Sequence, residues 1–505
     1  MKNRYFWAKM SLMVKIPEKI KEILNQLQSA NFDAFLVGGC VRDLLLKRKI
    51  KDWDITTNAK PEQIQKVFPD SFYENSFGTV SVKNAVDEES LRVVEITPYR
   101  LEGKYSDKRH PDEVKFADTL DDDLGRRDFT INALALRETK DVGQIVDLFD
   151  GQKDLKNKII RTVGDAEKRF DEDALRLMRA VRFATELNFQ IEEKTQQAIK
   201  KMAGSLEFIS NERIRDEFSK IIMAEDAAFG VWLLNDLGLL KYVLPELCEG
   251  VGVVGVTKYK KDHIKYDELS VFDHNLKTLE YAAKNNFNFE TRLAALLHDL
   301  GKPQTKQGEG LNASFKNHEQ VGAKMALRAS DRLHFSKKVI EKTVTLVRWH
   351  FFFYNVDEVS EAGVRRLIVR VGAENINDLL SLREADRSGS GLPKISPYRL
   401  QHLRYMIDRV SRDAIHPKML KINGNDLMEM LKINSGPKIG WILNSLLDEV
   451  LDDPNKNEEN YLQTRAKKLN NLSEEELKEL YFKSIQKQGE MESEIDENLK
   501  RKYNV

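Results

Sequence analysis

The chain has 505 residues, 41% hydrophobic and 32% charged, and its 81 basic side chains balance 81 acidic ones. That length leads us to expect about three or more domains. No apolar run is long enough to span a bilayer, and zero net charge removes any global field that would draw in nucleic acid, so an RNA surface has to be a local patch. Only Cys40 and Cys248 occur, which excludes a disulfide framework and a cysteine-based zinc site and fits a cytoplasmic setting.

In chain order, Met1 to Val14 contains Phe6, Trp7 and Met10 but no continuous apolar core or small-residue cleavage site, so it does not read as a signal peptide. Ile16 to Ala30 has the period of an amphipathic helix. Ala34 to Val37 reads as a strand, Val41 to Leu46 as a helix, and Thr79–Val82 and Leu91–Thr97 as further strands. The polar stretch from Arg100 to Asp112 reads as a long loop, a kind of segment that is usually functional or disordered. Strand signals nearly vanish from about residue 150 onward. Phe170 to Leu187 is predicted as one strong helix, with others at Asn211 to Met223 and Ala227 to Leu240. Gly250 to Gly255 is a glycine and valine linker. Helical blocks then span 265–390 and Met419 to Leu451, the latter with a turn at Asn434-Ser435-Gly436-Pro437. Beyond Asp452 the chain is highly charged, and a frayed helical tail or disorder is expected there.

The densest chemistry lies in Leu36-Val37-Gly38-Gly39-Cys40-Val41-Arg42-Asp43, followed by Lys51-Asp52-Trp53-Asp54-Ile55-Thr56. In a strand Asp52 and Asp54 share one face while Trp53 and Ile55 face the core. Two adjacent carboxylates repel unless a cation sits between them, and the usual reason for such a pair is a divalent-metal site, often a two-metal site for phosphoryl transfer. The strand–Gly-Gly–helix junction lets backbone N–H groups approach phosphates. Arg42, one turn in, adds a charge-assisted donor. A lone Gly-Gly is a weak signal, and paired aspartates also occur in solvated loops; it is the order strand, turn, helix, strand that joins the two.

A second motif is Arg126-Arg127-Asp128-Phe129-Thr130-Ile131-Asn132. Asp128 could cap a helix and the arginines could be surface charges. Alternatively Arg127 reaches a nucleotide, with Asp128 and Asn132 near the sugar or orienting the arginine. In a third motif Asp173, Arg176, Arg179 and Arg182 recur every three residues and form one helical stripe. An ordinary solvated salt-bridge face is one reading. The other is a carboxylate and a guanidinium holding a base by its Watson–Crick edge without a template strand.

The second half holds His274, the adjacent pair His298-Asp299, His318, His350 and Asp386, out of only nine histidines in the chain. Imidazole with carboxylate suits a divalent metal.

The pieces LVGGCVRD, KDWDIT, RRDFTINALAL, DLFDG and FDEDALRLMRAVRF, in that order over residues 30–190, resemble the bacterial class II tRNA nucleotidyltransferases, the CCA-adding enzymes. The histidine set resembles the HD phosphohydrolase domain. Residues 421–440 resemble the C-terminal region of HD-containing members, so that the likeness covers about 15–450 and stops short of the charged end. The resemblance implies an α+β chain. A small mixed-sheet nucleotidyltransferase head (15–160) would precede an all-helical neck and RNA-binding region (161–260), an HD domain (261–395), a helical C-terminal region (396–450) and a charged tail (451–505). It also implies that Asp52 and Asp54 bind catalytic Mg²⁺, and that Gly39, Arg42, Arg127, Arg179 and Arg182 hold the triphosphate. Asp173 and Arg176 would read CTP or ATP. His274, His298, Asp299 and Asp386 would ligate a divalent metal in the HD domain, lined by His318 and His350. The implied reaction is addition or repair of the tRNA 3′-terminal CCA with release of pyrophosphate, with no membrane partner.

Three other readings compete with this one. Poly(A) polymerases resemble this head but carry a basic Gly-Arg-Arg-Phe-like stretch that Asn58 to Asp70 lacks. CC-adding half-enzymes lack a loop such as Arg100–Asp112, which leaves a full CCA-adding or an A-adding enzyme. A phosphohydrolase whose head only binds RNA would leave Asp52 and Asp54 idle.

Overall fold

The computed structural model describes residues 8–12, 16–73, 78–101, 115–139, 142–254, 269–309, 313–352, 354–356, 359–391, 397–412 and 420–483. Beyond Leu101, the expected loop up to Asp112 lies outside them. The chain divides into two compact units: 1–348 with 388–391, and 349–387 with 392–505.

The first unit begins with a mixed sheet. Its strands are β1 (Ala8–Leu12), β2 (Phe35–Val37), β3 (Trp53–Thr57), β4 (Ser71–Tyr73), β5 (Val80–Lys83) and β6 (Val93–Pro98). A two-stranded ribbon, β7 (Arg100–Leu101) with β8 (Lys115–Phe116), stands apart, and β9 (Leu134–Thr139) and β10 (Val142–Asp147) complete the main sheet. The sheet order is β1-β10-β9-β2-β3-β6-β5-β4. Only β3 and β6 run parallel, with Asp54 opposite Glu95 and Thr56 opposite Thr97; the other neighbours are antiparallel. β3 is therefore an interior strand held on both sides by backbone ladders. Its carboxylates project from a rigid support. β1 was not foreseen: it belongs to the N-terminal stretch and pairs with β10.

The helix Glu18–Ser29 lays Ile20, Ile23, Leu24 and Leu27 against the core at helical spacing. From Ala166 the first unit is almost wholly helical. The segment predicted as one helix over Phe170–Leu187 is two, Ala166–Glu172 and Leu175–Leu187. Asp173 breaks it: its backbone is extended (φ −144°, ψ 104°), and its carboxylate accepts the N–H of Leu175 at 3.0 Å in place of a helical carbonyl. Similarly Ala227–Asp236 and Leu240–Val243 are separated at Gly238, where φ is +73°. Buried Arg292 joins two helical layers. Its guanidinium donates to the carbonyls of Ile222 and Ala224, at the end of the helix Asn211–Met223, and of Ala283, at the end of the helix Val271–Lys284.

The second unit is also helical. Its last part differs from the expected frayed tail. Leu462, Ala466 and Leu469, on the helix Glu459–Asn470, and Leu477 are buried with Leu427, Ile442, Leu446 and Leu447. Three apolar residues at helical intervals, joined by Leu477, outweigh the surrounding charge, which stays on the solvent side. Residues 484–505 lie outside the described residues.

Candidate active site and candidate metal cluster

Asp52 is exposed just ahead of β3, Asp54 is half-buried on it, and Trp53 and Ile55 are buried as alternation requires. Among the described residues no side chain donates a hydrogen bond to either carboxylate. Burial pushes the Asp54 carboxyl up and Asp52 adds to this, while the Arg127 guanidinium opposes it. A partly desolvated carboxylate beside a second one, without a donor, is a poor arrangement for a bare protein and a good one for a hard divalent cation. Behind β3 the Cys40 thiol, on the helix Gly39–Leu45, contacts the carbonyls of Val37 and Asp54, and burial pushes it up to about 12. It is a neutral packing group.

The Gly-Gly turn is shaped by an arginine. Gly38 has φ +78°, and a Cβ there would lie 2.8 Å from Arg127 Nη1. The missing side chain lets that guanidinium lie against the turn. Arg42 forks onto Asp43 at 2.9 and 3.0 Å and donates to the Asn132 Oδ1 at 2.9 Å. Asn132 Nδ2 donates in turn to Asp128, which also receives Arg179 Nε at 2.8 Å. Burial alone would raise Asp128, but Arg179 and the Asn132 amide hold its carboxyl well below the usual carboxylate range. Asp128 and Asn132 thus orient Arg179 and Arg42, whereas Arg127, the arginine they were expected to orient, is held by Asp123. The guanidinium groups of Arg42, Arg179 and Arg182 lie 5.1, 5.3 and 4.2 Å from the ring centroid of Phe183, a contact that the sequence did not suggest.

The expected stripe does not hold as one face. Asp173 lies outside the helix and is gripped by Arg213 at 2.8 and 3.3 Å, not by Arg176. Arg176 turns to Glu172 and to the carbonyls of Arg169 and Arg126. Arg182 pairs with buried Glu217 at 3.0 Å. Arg213 and Glu217 were missed in sequence, being 40 and 35 positions from their partners. So was Asp123, which is fully buried and binds both Arg126 and Arg127.

A second polar cluster lies farther along the first unit. His274 Nε2 and His298 Nε2 are 3.1 Å apart, and both face Asp299 Oδ2, at 3.4 and 3.3 Å. His318 Nε2 lies 3.5 Å from Asp299 Oδ1. His298 Nδ1 donates to the Ala295 carbonyl and His318 Nδ1 to that of Phe315, which leaves each Nε2 lone pair aimed at the cluster. Gly301 permits this convergence, since a Cβ there would strike the backbone of His318 and Gly322. Lys302 Nζ is 2.5 Å from Asp299 Oδ2. Convergent imidazole nitrogens around one carboxylate suit a borderline divalent metal. His350 and Asp386 belong to the second unit, where Arg383 donates to Asp386 at 2.6 Å.

Three family models match: the poly A polymerase head domain over residues 34–161, the probable RNA and SrmB-binding site of polymerase A over 188–250, and the HD domain over 271–388. The chain is 34% identical to the CCA-adding enzyme of Lactococcus lactis subsp. lactis over 470 residues, covering 90% of this chain and 99% of that one. The chain belongs to the CCA-adding enzyme family. Its match to the Lactobacillus helveticus CCA-adding enzyme is stronger but shorter: 53% over 211 residues, spanning 41% of this chain and about half (51%) of that relative. Among solved structures it is similar to the Bacillus stearothermophilus CCA-adding enzyme in complex with CTP, with a TM-score of 0.59, 28% identity, and coverage of 90% and 98% of the two chains. Nucleotidyltransferase and HD domains both imply use of divalent metal, and the donor sets above fit that. No helix among the described residues is long and apolar enough to cross a membrane.

Proposed function

We propose that this family member adds and repairs the 3′-terminal CCA of tRNA, taking CTP and ATP as substrates without a nucleic-acid template. The observation that carries the reading is the Asp52–Asp54 pair at the start of β3, without a hydrogen-bond donor among the described residues and set beside the arginines of the Gly38 turn and of the Arg126-Arg127-Asp128 motif. The tRNA 3′-terminal hydroxyl gives up its proton to solvent, its oxygen bonds to the α-phosphorus, the bond from that phosphorus to the bridging α–β oxygen breaks, and pyrophosphate leaves with the electron pair. Asp52 and Asp54 would hold Mg²⁺, which when bound lowers the pKa of the attacking hydroxyl and neutralises the triphosphate. Arg42 and Arg127 stand at the Gly-Gly turn, where Gly39 leaves the backbone open to a phosphate, and Arg179 and Arg182 extend the positive wall around Phe183. Asp173 and Arg176 would present an acceptor and a donor to the incoming base, each braced from behind, by Arg213 and Glu172. The test uses tRNA ending at the discriminator base, with CTP and ATP supplied singly and together. CC from CTP alone and CCA from both is expected; A-only extension would make the protein an A-adding enzyme.

The convergence of His274, His298, His318 and Asp299 favours a second reading beside the first, a metal-dependent phosphohydrolase activity. Hydrolysis of phosphomonoesters or cyclic phosphodiesters with Mg²⁺, Mn²⁺, Ni²⁺ or Co²⁺ tests it. No turnover with any of these would leave the cluster a structural scaffold.

A further inference from the structure

Asp123 sits on the Asp54 side of β3. Its Oδ2 accepts from Thr56 Oγ1 and from Arg127 Nη2, both at 3.3 Å. Its Oδ1 accepts Arg126 Nε and Nη2 at 2.9 and 2.8 Å and the Arg100 backbone N–H at 3.4 Å. Thr56 is two residues beyond Asp54, so Asp52, Asp54 and Thr56 follow one another along a single strand face, with Asp123 closing the row. Asp123 has no exposed surface and both oxygens are occupied, so it is not itself placed to take a metal. Among the described residues the hydrogen bond to Asp123 is the one that fixes the Arg127 side chain. Arg127 Nε is buried without a partner. Arg127 is also the cation that acts most strongly on Asp54. A guanidinium that acts on a carboxylate in this way is drawn toward it unless another group holds it.

We propose that Asp123 is a positioning residue: it tethers Arg127 against the Gly38 turn, so that the arginine keeps free donors for a phosphate and does not form an ion pair with Asp54 that would exclude the metal. This rests on the reading that Asp52 and Asp54 hold a divalent cation. It predicts a direction that a plain structural role does not. Releasing Arg127 should harm metal binding, and removing the released arginine should restore it.

The experiment measures Mn²⁺ binding to the full chain by electron paramagnetic resonance, without nucleotide, in a His298→Ala/Asp299→Ala background that removes the other cluster. Asp54→Ala in that background identifies the head site. Asp123→Asn is expected to weaken head-site binding by about tenfold through competition from the freed guanidinium. Adding Arg127→Met to Asp123→Asn is expected to return it to within about twofold of the background. Unchanged binding in Asp123→Asn overturns the inference. So does a loss that Arg127→Met fails to rescue, since Asp123 would then act on the metal or the fold directly. If Asp123→Asn does not fold, Arg127→Lys replaces it: a lysine keeps the charge but loses the fork, so weaker binding is again expected and unchanged binding again overturns the inference. Absence of any Asp54-dependent Mn²⁺ binding in the background protein would instead overturn the metal reading, and the inference with it.

Discussion

The first unit contains two polar clusters that handle charge in opposite ways. Around β3 two like charges are left without donors among the described residues, while the neighbouring cations are paired with carboxylates: Arg42 has Asp43, Arg126 and Arg127 share Asp123, Arg179 has Asp128, Arg182 has Glu217. In the histidine cluster one carboxylate, Asp299, is the focus, and imidazole nitrogens and Lys302 gather on it. The first arrangement keeps hard oxygen donors and guanidinium edges free at once, as a triphosphate with its cations requires. The second offers nitrogen donors with their tautomers set by backbone carbonyls, which suits a resident metal. Preorganisation in the head therefore rests on the carboxylates behind the arginines as much as on the arginines themselves.

The sharpest way to break this comparison is to remove the unpaired charges. Asp52→Ala or Asp54→Ala should reduce nucleotide addition by at least about a thousandfold, as expected for loss of the main electrostatic stabilisation at the reacting phosphorus. Circular dichroism should show an intact fold, because neither carboxylate supports another side chain. Near-normal addition rates by either variant would mean that the pair is a solvated surface feature.

A smaller effect tests the bracing of the pair proposed to read the base. Arg213→Gln leaves Asp173 without its guanidinium partner. Discrimination against UTP and GTP should then fall by about 10- to 100-fold, the range for losing one well-placed bidentate contact of about 1–3 kcal/mol. The KM for CTP should move much less. Equal changes in both would assign Asp173 and Arg213 to triphosphate binding.

Sequence reading located the groups that face outward from each motif but not those that stand behind them. Asp52, Asp54, Arg127 and the His298-Asp299 pair lie in short runs whose local order already limits their chemistry. Arg213, Glu217 and Asp123 act over 40, 35 and 67 positions, on Asp173, Arg182 and Thr56. No local period records such pairings. The break at Asp173 was hidden for a related reason. Its helical spacing to Arg176 was real, but the carboxylate serves as a cap, and the side chain–backbone bond won over periodicity. Similarly, the charge count beyond Asp452 concealed the spacing of Leu462, Ala466 and Leu469, which the packing uses.

Stability provides a third test, of smaller size and opposite sign. Burial and Asp52 raise the folded-state pKa of Asp54 above its unfolded value. The folded state thus favours the protonated form, so stability is lost as pH rises from the unfolded pKa to the raised folded one; the loss is complete above the folded value and absent below the unfolded value. At neutral pH, Asp54→Asn should therefore raise the melting temperature of the metal-free protein by a few degrees. It should also remove the rise that Mg²⁺ with CTP gives the wild type. Asp128 has the reverse sign: its folded pKa is depressed by Arg179 and Asn132. Its contribution is complete above the unfolded value of about 4 and declines as pH falls from there toward the folded one. Asp128→Asn should flatten that acid limb of the melting-temperature profile. An unchanged limb would assign the acid loss to other carboxylates.

The smallest expected effect concerns the independence of the two clusters. His298→Ala with Asp299→Ala removes the focus of the histidine cluster and should abolish its metal binding and any hydrolysis that depends on it. CCA addition should stay within about threefold of wild type, because ligand loss acts locally while the helices keep their packing. Those helices are fastened to the neck by Arg292, whose guanidinium takes the carbonyls of Ile222 and Ala224. Arg292 is buried and, among the described residues, pairs with carbonyls and no carboxylate, so it carries no charge signal from one cluster to the other. Its role is mechanical. Should the double variant fold normally and yet lose CCA addition by more than tenfold, the histidine cluster would have to set the position of the neck through this joint. Arg292→Met should then reproduce the same loss with every metal ligand in place. If Arg292→Met leaves addition untouched while the double variant impairs it, the link runs by another route. If both leave it untouched, the two clusters are independent functional centres on one fold.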